Sequence, residues 1–195
     1  MTSEKKISQA IKLIAAKEDM SFDLANSTMD EIMRGDVTPA QFGSFIMGLK
    51  MKGETPTEIA GLATSMREKS LKIDLNEPLL DTCGTGGDGL KTFNISTAVA
   101  FVVAGSGVKV AKHGNRAISG SSGSADALEE MGVKINLSPY SVKKCIETIG
   151  IGFIFAQSFH PAMKFASPLR REVGIPTVFN ILGPLTNPAG ASNQL

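Results

Sequence analysis

The stretch DTCGTGGDG, residues 81–89, lies between a short apolar run and a second apolar run at 98–104. A glycine-rich turn between a strand and a helix is typical of sheets whose parallel strands are connected by helices. Such a turn also lets backbone N–H groups approach an anion closely. The stretch therefore predicts an α/β unit with a phosphate site where its first strand ends.

The same alternation of apolar runs and glycine-containing turns continues toward the C-terminus. It predicts strands at 79–83, 108–111, 133–137 and 153–156, and helices at 96–104, 124–131 and 138–148. Ligands of such sheets bind at the carboxyl ends of the strands. We therefore expect the loops after Cys83, Ala111 and Ala156 to converge on one crevice.

The first 70 residues have the pattern of short helices. Thr38 and Thr55 are each followed by proline and, three residues on, by Gln41 or Glu58, which is the pattern of a capped helix start. Apolar residues at helical spacing predict four helices here, the second ending at Gly35. The stretch after Phe159 is again helical in pattern. We expect a helical domain over 1–71, joined by 160–185, and an α/β domain over 72–159 and 186–195.

Composition narrows the classes of function. The 195 residues carry 20 Lys and Arg against 19 Asp and Glu, a formal net charge of +1, and 42% are hydrophobic, which argues against disorder and against a general polyanion-binding surface. We expect no nucleic-acid partner. The apolar runs are too short to span a bilayer and the N-terminus lacks an apolar signal region, so a cytoplasmic location without membrane association is expected. Two cysteines make a structural transition-metal site improbable.

The glycine-rich turn fits neither common nucleotide fingerprint. Gly84, Gly86 and Gly89 satisfy G-x-G-x-x-G, but the next acidic residue after Asp88 is Asp126, too far along the chain to hold a ribose. A P-loop fails because Leu90 displaces the lysine by one position. A glycine-rich turn without a ligand remains an alternative to phosphate binding.

Charge favours the phosphate interpretation. Residues 89–125 contain Lys91, Lys109, Lys112 and Arg116 and no acidic residue, although charges nearly cancel over the whole chain. A second loop at 112–124, KHGNRAISGSSGS, adds cations, an amide and hydroxyls ahead of a helix. We expect the two loops to form one anion site, with a solvated basic face as the alternative.

Six segments resemble anthranilate phosphoribosyltransferase in order and spacing: GTGGD (84–88), NIST (94–97), KHGNR (112–116), SGSAD (122–126), FHPAM (159–163) and FNILGPLTNP (179–188). The resemblance implies transfer of the phosphoribosyl group of 5-phosphoribosyl 1-diphosphate to anthranilate, in tryptophan biosynthesis. It also implies a fold similar to pyrimidine nucleoside phosphorylases, with a small N-terminal helical domain beside a mostly parallel α/β domain. A homodimer joined through the helical domains is implied as well.

The resemblance also implies the site residues. Anthranilate would contact Gly84, Asn115 and Arg170, and Ser96 would bind magnesium, Mg²⁺, held on the diphosphate. Positioning and electrostatics, rather than a protein nucleophile, would drive the reaction. The donor, 5-phosphoribosyl 1-diphosphate, would contact Gly84, Gly87, Asp88, Thr92, Asn94, Ile95, Ser96, Thr97, Lys112, His113, Gly114, Asn115, Arg116, Ala117, Ile118, Ser119, Gly120 and Ser124.

The family continues beyond the position matched by Leu195, and its adjacent acidic pair, which holds magnesium together with the serine matched by Ser96, has no equivalent here. We therefore expect the α/β domain to be truncated and the chain to be incomplete for activity. Two other functions stay open. One is a non-catalytic fragment that binds phosphate or dimerises, and the other is a related nucleoside phosphorylase.

Overall fold

A computed structural model describes residues 4–85, 93–117 and 122–195 of the chain. They form two compact units, which are described separately. The first comprises the residues up to Lys69 together with Ala162–Thr186. The second comprises Ser70–Pro161 and Asn187–Leu195.

The elements confirm the expected class, a helical bundle and a parallel α/β unit. Within the described residues they are, in chain order, α1 (Lys6–Ala15), α2 (Phe22–Arg34), α3 (Pro39–Lys52), α4 (Pro56–Glu68), β1 (Leu80–Asp81), α5 (Ile95–Gly105), β2 (Val110–Gly114), α6 (Ser124–Glu130), α7 (Pro139–Ile149), β3 (Ile151–Phe155), α8 (Ala156–Phe159), a 3₁₀ turn (Pro161–Lys164), α9 (Ala166–Val173), α10 (Val178–Leu185) and β4 (Asn193–Gln194).

The helix starts predicted in the first 70 residues are confirmed. The Thr38 hydroxyl accepts a hydrogen bond from Gln41 N at 3.2 Å, and the Gln41 side chain accepts one from Thr38 N at 3.0 Å. Thr55 and Glu58 make the same reciprocal pair at the start of α4. Gly35 ends α2 with φ of +78°, in the left-handed region where glycine carries no steric penalty.

Helix α1 is capped from outside its own sequence. Lys5, the residue before the helix, offers no side-chain cap, and the Glu31 carboxylate of α2 accepts hydrogen bonds from Lys6 N at 2.9 Å and Ile7 N at 3.0 Å. Unpaired N–H groups at a helix start need acceptors, and a carboxylate there also complements the helix dipole. A contact between two helices thus replaces a local cap.

One apolar core holds the helical unit together. It joins α1–α4 to α9 and α10, with Phe42 of α3 packed against Phe179 of α10 at 5.7 Å between ring centroids. The return of the chain after residue 161 therefore completes this core, as burial of Ala166, Val178 and Leu182 shows.

The second unit is built on a four-stranded parallel sheet in the order β3-β2-β1-β4. Val110 of β2 lies beside Ile151 of β3 and beside Leu80 of β1, which aligns the strands. Predicted helices at 96–104, 124–131 and 138–148 correspond to α5, α6 and α7. Ile146 and Val142 of α7 pack on the sheet residue Ile154 in one core cluster.

One strand prediction is wrong, and the other three strands have different bounds: β1 is Leu80–Asp81 rather than 79–83, β2 begins at Val110 rather than 108, and β3 is Ile151–Phe155 rather than 153–156. Residues 133–137 form no strand among the described residues, because Val133 N is bonded back to Leu128 O and Leu137 N to Ile135 O. Only Ile135 of this alternating stretch is buried. Strand β2 is also longer than predicted, since the pairing with β3 continues to Gly114 and Phe155. Lys112, His113 and Gly114, expected in a loop, therefore lie in a fully buried strand.

No helix among the described residues is both long enough and apolar enough to cross a membrane.

The buried carboxylate of Glu58 provides a test of the helical unit. Its oxygens accept hydrogen bonds from Met20 N at 2.9 Å, Thr55 N at 2.8 Å and the Lys52 ammonium at 3.0 Å, and its side chain is fully buried. We expect Glu58→Ala to lower the free energy of unfolding by about 3 kcal/mol or more, because a buried ammonium and two amides lose their acceptor. Urea unfolding followed by circular dichroism measures the loss.

Asp19→Ala is the matched control, since Asp19 contacts the same lysine at 2.6 Å but has a side chain that is 64% exposed. An exposed ion pair contributes less than about 1 kcal/mol. Equal losses in the two variants would show that burial of Glu58 does not stabilise the unit.

Candidate functional site

The ends of β1 and β2 present different side chains on their two faces. Side chains alternate along a strand, and the pairing of Leu80 with Val110 continues so that Thr82 lies beside Lys112. Asp81 and His113 belong to the opposite face, where the Asp81 carboxylate accepts a hydrogen bond from His113 N at 3.0 Å. The two faces therefore have different chemistry.

The first face carries Thr82, Ser96 and Lys112, which we call the Lys112 cluster. The Lys112 ammonium lies 3.3 Å from the Thr82 hydroxyl and 3.4 Å from the Ser96 hydroxyl, and the Thr82 hydroxyl donates to Ser96 O at 2.8 Å. Lys112 is only 3% exposed and forms no ion pair within the described part of the chain. Burial lowers the pKa of Lys112, because desolvation of the ammonium outweighs the attraction of the Asp81 carboxylate.

The first turn of α5 adjoins this cluster. Ser96 is its second residue, and the Thr97 hydroxyl is buried without a hydrogen-bond partner among the described residues. The turn contains no acidic side chain. A helix N-terminus beside a buried cation attracts anions. The cluster therefore suits the negative charge of a phosphate.

The start of the second loop is held against α6. The Asp126 carboxylate accepts hydrogen bonds from Ala117 N at 3.0 Å and Gly123 N at 2.8 Å, which lower the pKa of Asp126. A Cβ at Gly114, the last residue of β2, would press against the Ser124 hydroxyl and the Phe153 ring, so glycine allows close packing there. The hydroxyl of Ser124 donates to Asn115 O at 3.3 Å.

The positive field predicted over residues 89–125 is weaker than expected. The Arg116 guanidinium contacts Glu129 at 2.6 Å and Asp126 at 3.1 Å, and Lys109 contacts Glu77 at 2.7 Å. Carboxylates that lie outside residues 89–125 in the sequence thus neutralise Arg116 and Lys109. Lys112 forms no ion pair with the described residues, although the negative charge of Asp81 is near enough to act on it.

The opposite face carries Asp81, Cys83, His113 and Asn187, which we call the Asp81 cluster. One carboxylate oxygen accepts from Cys83 N and His113 N at 3.0 Å each, and the other accepts from the Asn187 amide at 2.8 Å. Sequence reasoning missed Asp81 and Asn187 as site residues. Their positions in the sequence could have indicated them, because Asp81 begins the motif DTCGTGGDG and Asn187 lies in the motif FNILGPLTNP.

The Asp81 cluster also has the ligand types of a transition-metal site. Ligand atoms of Asp81, Cys83 and His113 lie within 4.8 Å of one another. However, the carboxylate already accepts three N–H hydrogen bonds, and burial raises the pKa of the Cys83 thiol to about 12, which disfavours the thiolate that binds metals. The geometry fits a hydrogen-bonded cross-link between strands.

Arg170 lies in the helical unit, on α9. Its guanidinium carbon is 4.9 Å from the ring centroid of Phe179, and it forms neither an ion pair nor a hydrogen bond with the described residues. Burial lowers the pKa of Arg170 to about 10, so the side chain is still cationic at neutral pH. A half-buried guanidinium without a carboxylate partner suits a planar carboxylate ligand.

Some of the remaining predicted site residues lie in the described part of the chain, and the others lie outside it. Gly84 is exposed, directly after Cys83, and Asn94 donates to Gly123 O at 3.3 Å, which links the two loops. The Asn115 side chain accepts from Arg116 N at 2.8 Å. The predicted site residues outside the described part of the chain are Gly87, Asp88, Thr92, Ile118, Ser119 and Gly120.

Comparison with known proteins agrees with this architecture. Residues 8–70 match the helical bundle domain of a glycosyl transferase family, and residues 76–195 match the a/b domain of that family. An anthranilate phosphoribosyltransferase of Dehalococcoides mccartyi is 59% identical over 97% of this chain and 55% of its own length. The chain thus spans about half the length of the curated relatives it matches.

Solved structures give the same result. Anthranilate phosphoribosyltransferase of Thermus thermophilus superposes with a TM-score of 0.91 at 45% identity, over 98% of this chain and 57% of that one. The Saccharomyces cerevisiae enzyme in complex with PRPP and Mg superposes with a TM-score of 0.87 at 29% identity, over 98% of this chain and 58% of the yeast chain.

Both structural units and both matched segments therefore lead to one assignment. The chain belongs to the glycosyl transferase family that combines a helical bundle domain with an a/b domain.

Proposed function

We propose that the protein is an anthranilate phosphoribosyltransferase. It would transfer the phosphoribosyl group of 5-phosphoribosyl 1-diphosphate to anthranilate, giving N-(5-phosphoribosyl)anthranilate and pyrophosphate. The bond between the anomeric carbon and the diphosphate oxygen breaks, and its electron pair leaves with pyrophosphate. The anthranilate nitrogen forms the new bond to that carbon and loses one proton. The 59% identity to an enzyme of that name supports the proposal.

The observation that carries the proposal is the Lys112 cluster. A buried ammonium, flanked by two hydroxyls and unpaired among the described residues, is costly unless an anion binds it. Each charge-assisted hydrogen bond to a phosphate oxygen contributes roughly 1.5–3 kcal/mol. We place the diphosphate of the donor here, between the first turn of α5 and the end of β2.

This arrangement would act mainly on the leaving group. Negative charge grows on the diphosphate as the bond to the sugar breaks, and a preorganised cation in a water-poor site stabilises that charge. The amine of anthranilate is itself a nucleophile, so the protein needs to position it rather than to form a covalent intermediate. Asn94 to Thr97, Asn115 and Ser124 are further donor contacts in this proposal.

Magnesium use is part of the proposal, because the yeast enzyme was solved with PRPP and Mg. Ser96 is the residue we propose for it. Among the described residues, Ser96 offers one hydroxyl 3.4 Å from a lysine ammonium, and its hydrogen-bond partners include no carboxylate. Mg²⁺ requires about six oxygen ligands. The described residues alone do not form such a site, and we assign no step of the reaction to the metal.

The acceptor contacts in this proposal are Gly84, Asn115 and Arg170, as the family resemblance implies. Arg170 is suited to the anthranilate carboxylate because a guanidinium binds a carboxylate through two parallel hydrogen bonds. A homodimer through the helical unit is also proposed. The family resemblance supports this part of the proposal.

The assay that tests this function follows anthranilate fluorescence after addition of 5-phosphoribosyl 1-diphosphate and Mg²⁺. Loss of fluorescence that requires the donor supports phosphoribosyl transfer. Donor binding without turnover would support a non-catalytic phosphate-binding fragment. Phosphate-dependent cleavage of a pyrimidine nucleoside would support the nucleoside phosphorylase alternative.

We expect Lys112→Met to weaken binding of 5-phosphoribosyl 1-diphosphate by about 10- to 100-fold, because one charge-assisted contact is lost. The melting temperature of the free protein should stay the same or rise, since a buried unpaired charge is removed. Calorimetric titration and thermal unfolding measure the two effects.

Lys109→Met is the control, because this lysine is paired with Glu77 and lies just before β2. It should leave donor affinity within about twofold. Similar losses in both variants would mean that overall charge, rather than the Lys112 cluster, attracts the donor.

We expect Arg170→Ala to lower anthranilate affinity by at least about tenfold while changing donor affinity much less, because only the acceptor carboxylate loses its partner. Fluorescence titration with anthranilate measures the first effect. Arg171→Ala is the control on the same helix, since Arg171 is exposed. Unchanged anthranilate affinity in Arg170→Ala would remove this residue from the site.

A further inference from the structure

The Asp81 cluster lies on the face of the strands opposite the proposed donor site. Its carboxylate connects two chain segments that the donor site needs. Cys83 N begins the glycine-rich turn, and His113 N follows Lys112 directly, and both donate to the same carboxylate oxygen at 3.0 Å. One side chain thus ties the exit of β1 to the end of β2.

Asn187 holds that carboxylate in place. Its amide nitrogen donates to Asp81 at 2.8 Å and to Ala111 O at 2.8 Å, and its amide oxygen accepts from Ala189 N at 2.8 Å. Asp81 is fully buried and Asn187 is 6% exposed. These three bonds determine which way the amide points, so the carboxylate has one arrangement in which every donor is satisfied.

This hydrogen-bonded cross-link also fixes the positions of Thr82 and Lys112 on the opposite face. Thr82 lies between Asp81 and Cys83 in the chain, and Lys112 lies between Ala111 and His113. The bond from Cys83 to Asp81 therefore fixes the chain on both sides of Thr82. The bonds from His113 N to Asp81 and from Asn187 to Ala111 O fix the chain on both sides of Lys112, whose ammonium lies 3.3 Å from the Thr82 hydroxyl. A shift of either strand end would change the distance between the Thr82 hydroxyl and the Lys112 ammonium.

We propose that Asp81, oriented by Asn187, is a positioning residue for the donor site: it holds Thr82 and Lys112 in the geometry that receives the diphosphate. This inference rests on the proposed function. Asp81 itself would not touch the donor, since its buried carboxylate already accepts three N–H hydrogen bonds and its negative charge would repel phosphate. Its effect is transmitted through the backbone N–H groups of Cys83 and His113, from which the carboxylate accepts hydrogen bonds.

Two variants test the proposal. Asp81→Asn places an amide nitrogen against the Asn187 amide nitrogen, and Asn187→Ala removes the donor that orients Asp81 without touching Cys83 or His113. We expect each variant to weaken binding of 5-phosphoribosyl 1-diphosphate and of inorganic pyrophosphate by about tenfold or more. The amide protons of Cys83 and His113 should also exchange faster with solvent, which NMR measures. If Asp81→Asn does not fold, Asn187→Ala decides the test.

Val142→Ala is the matched control. Val142 is buried in the apolar cluster on the same sheet and makes no contact with the Asp81 cluster through hydrogen bonds. It should lower stability while leaving donor affinity unchanged. Donor affinity in both test variants no lower than in Val142→Ala would overturn the proposal, because Asp81 would then serve stability alone.

The test separates this inference from the function on which it rests. If the unmodified protein binds neither the donor nor pyrophosphate, the proposed function is wrong. If the unmodified protein binds them and the test variants bind as tightly as Val142→Ala, only the positioning role of Asp81 is wrong.

Discussion

A single buried carboxylate organises the sheet end on which the candidate site depends. The Asp81 carboxylate accepts hydrogen bonds from Cys83 N after β1, from His113 N of β2 and from the Asn187 amide. Leu195 N donates to the backbone oxygen of Asp81. A buried carboxylate is costly unless donors surround it, so these segments are held in one arrangement. Because side chains alternate along a strand, this acidic face leaves the opposite face for the cation.

The electrostatics of the second unit distinguish cations that stabilise the fold from one that suits a ligand. Arg116 and Lys109 are satisfied by carboxylates, whereas Lys112 is buried between hydroxyls. Stability alone would favour an apolar side chain at such a position. Burial of Lys112 is explained if a phosphate-bearing ligand supplies negative charge, and the proposed donor is such a ligand. Arg170 in the helical unit is likewise a partly buried cation without a carboxylate partner among the described residues, and it suits a carboxylate ligand.

Features determined by neighbouring residues could be predicted from the sequence, and features determined by distant contacts could not. The helix starts at Thr38 and Thr55 were predictable because each capping bond joins residues three apart. The expected strand at 133–137 was wrong because alternation does not reveal whether a partner strand is present. The partner of Arg116, Glu129, lies 13 residues away, and that of Asp81, Asn187, lies 106 residues away. The family resemblance predicts Lys112 and Arg170 as site residues, but neither it nor local pattern predicts the Asp81 cluster.

In the proposed function the Thr82 and Lys112 face of the sheet end, and not the Asp81 face, receives the diphosphate. A crystal structure of the protein with bound 5-phosphoribosyl 1-diphosphate would distinguish the two faces. We expect a diphosphate oxygen within hydrogen-bond distance of the Lys112 ammonium and an Asp81 carboxylate that keeps its hydrogen bonds to Cys83, His113 and Asn187. A diphosphate bound on the Asp81 face, or far from Lys112, would contradict this proposal.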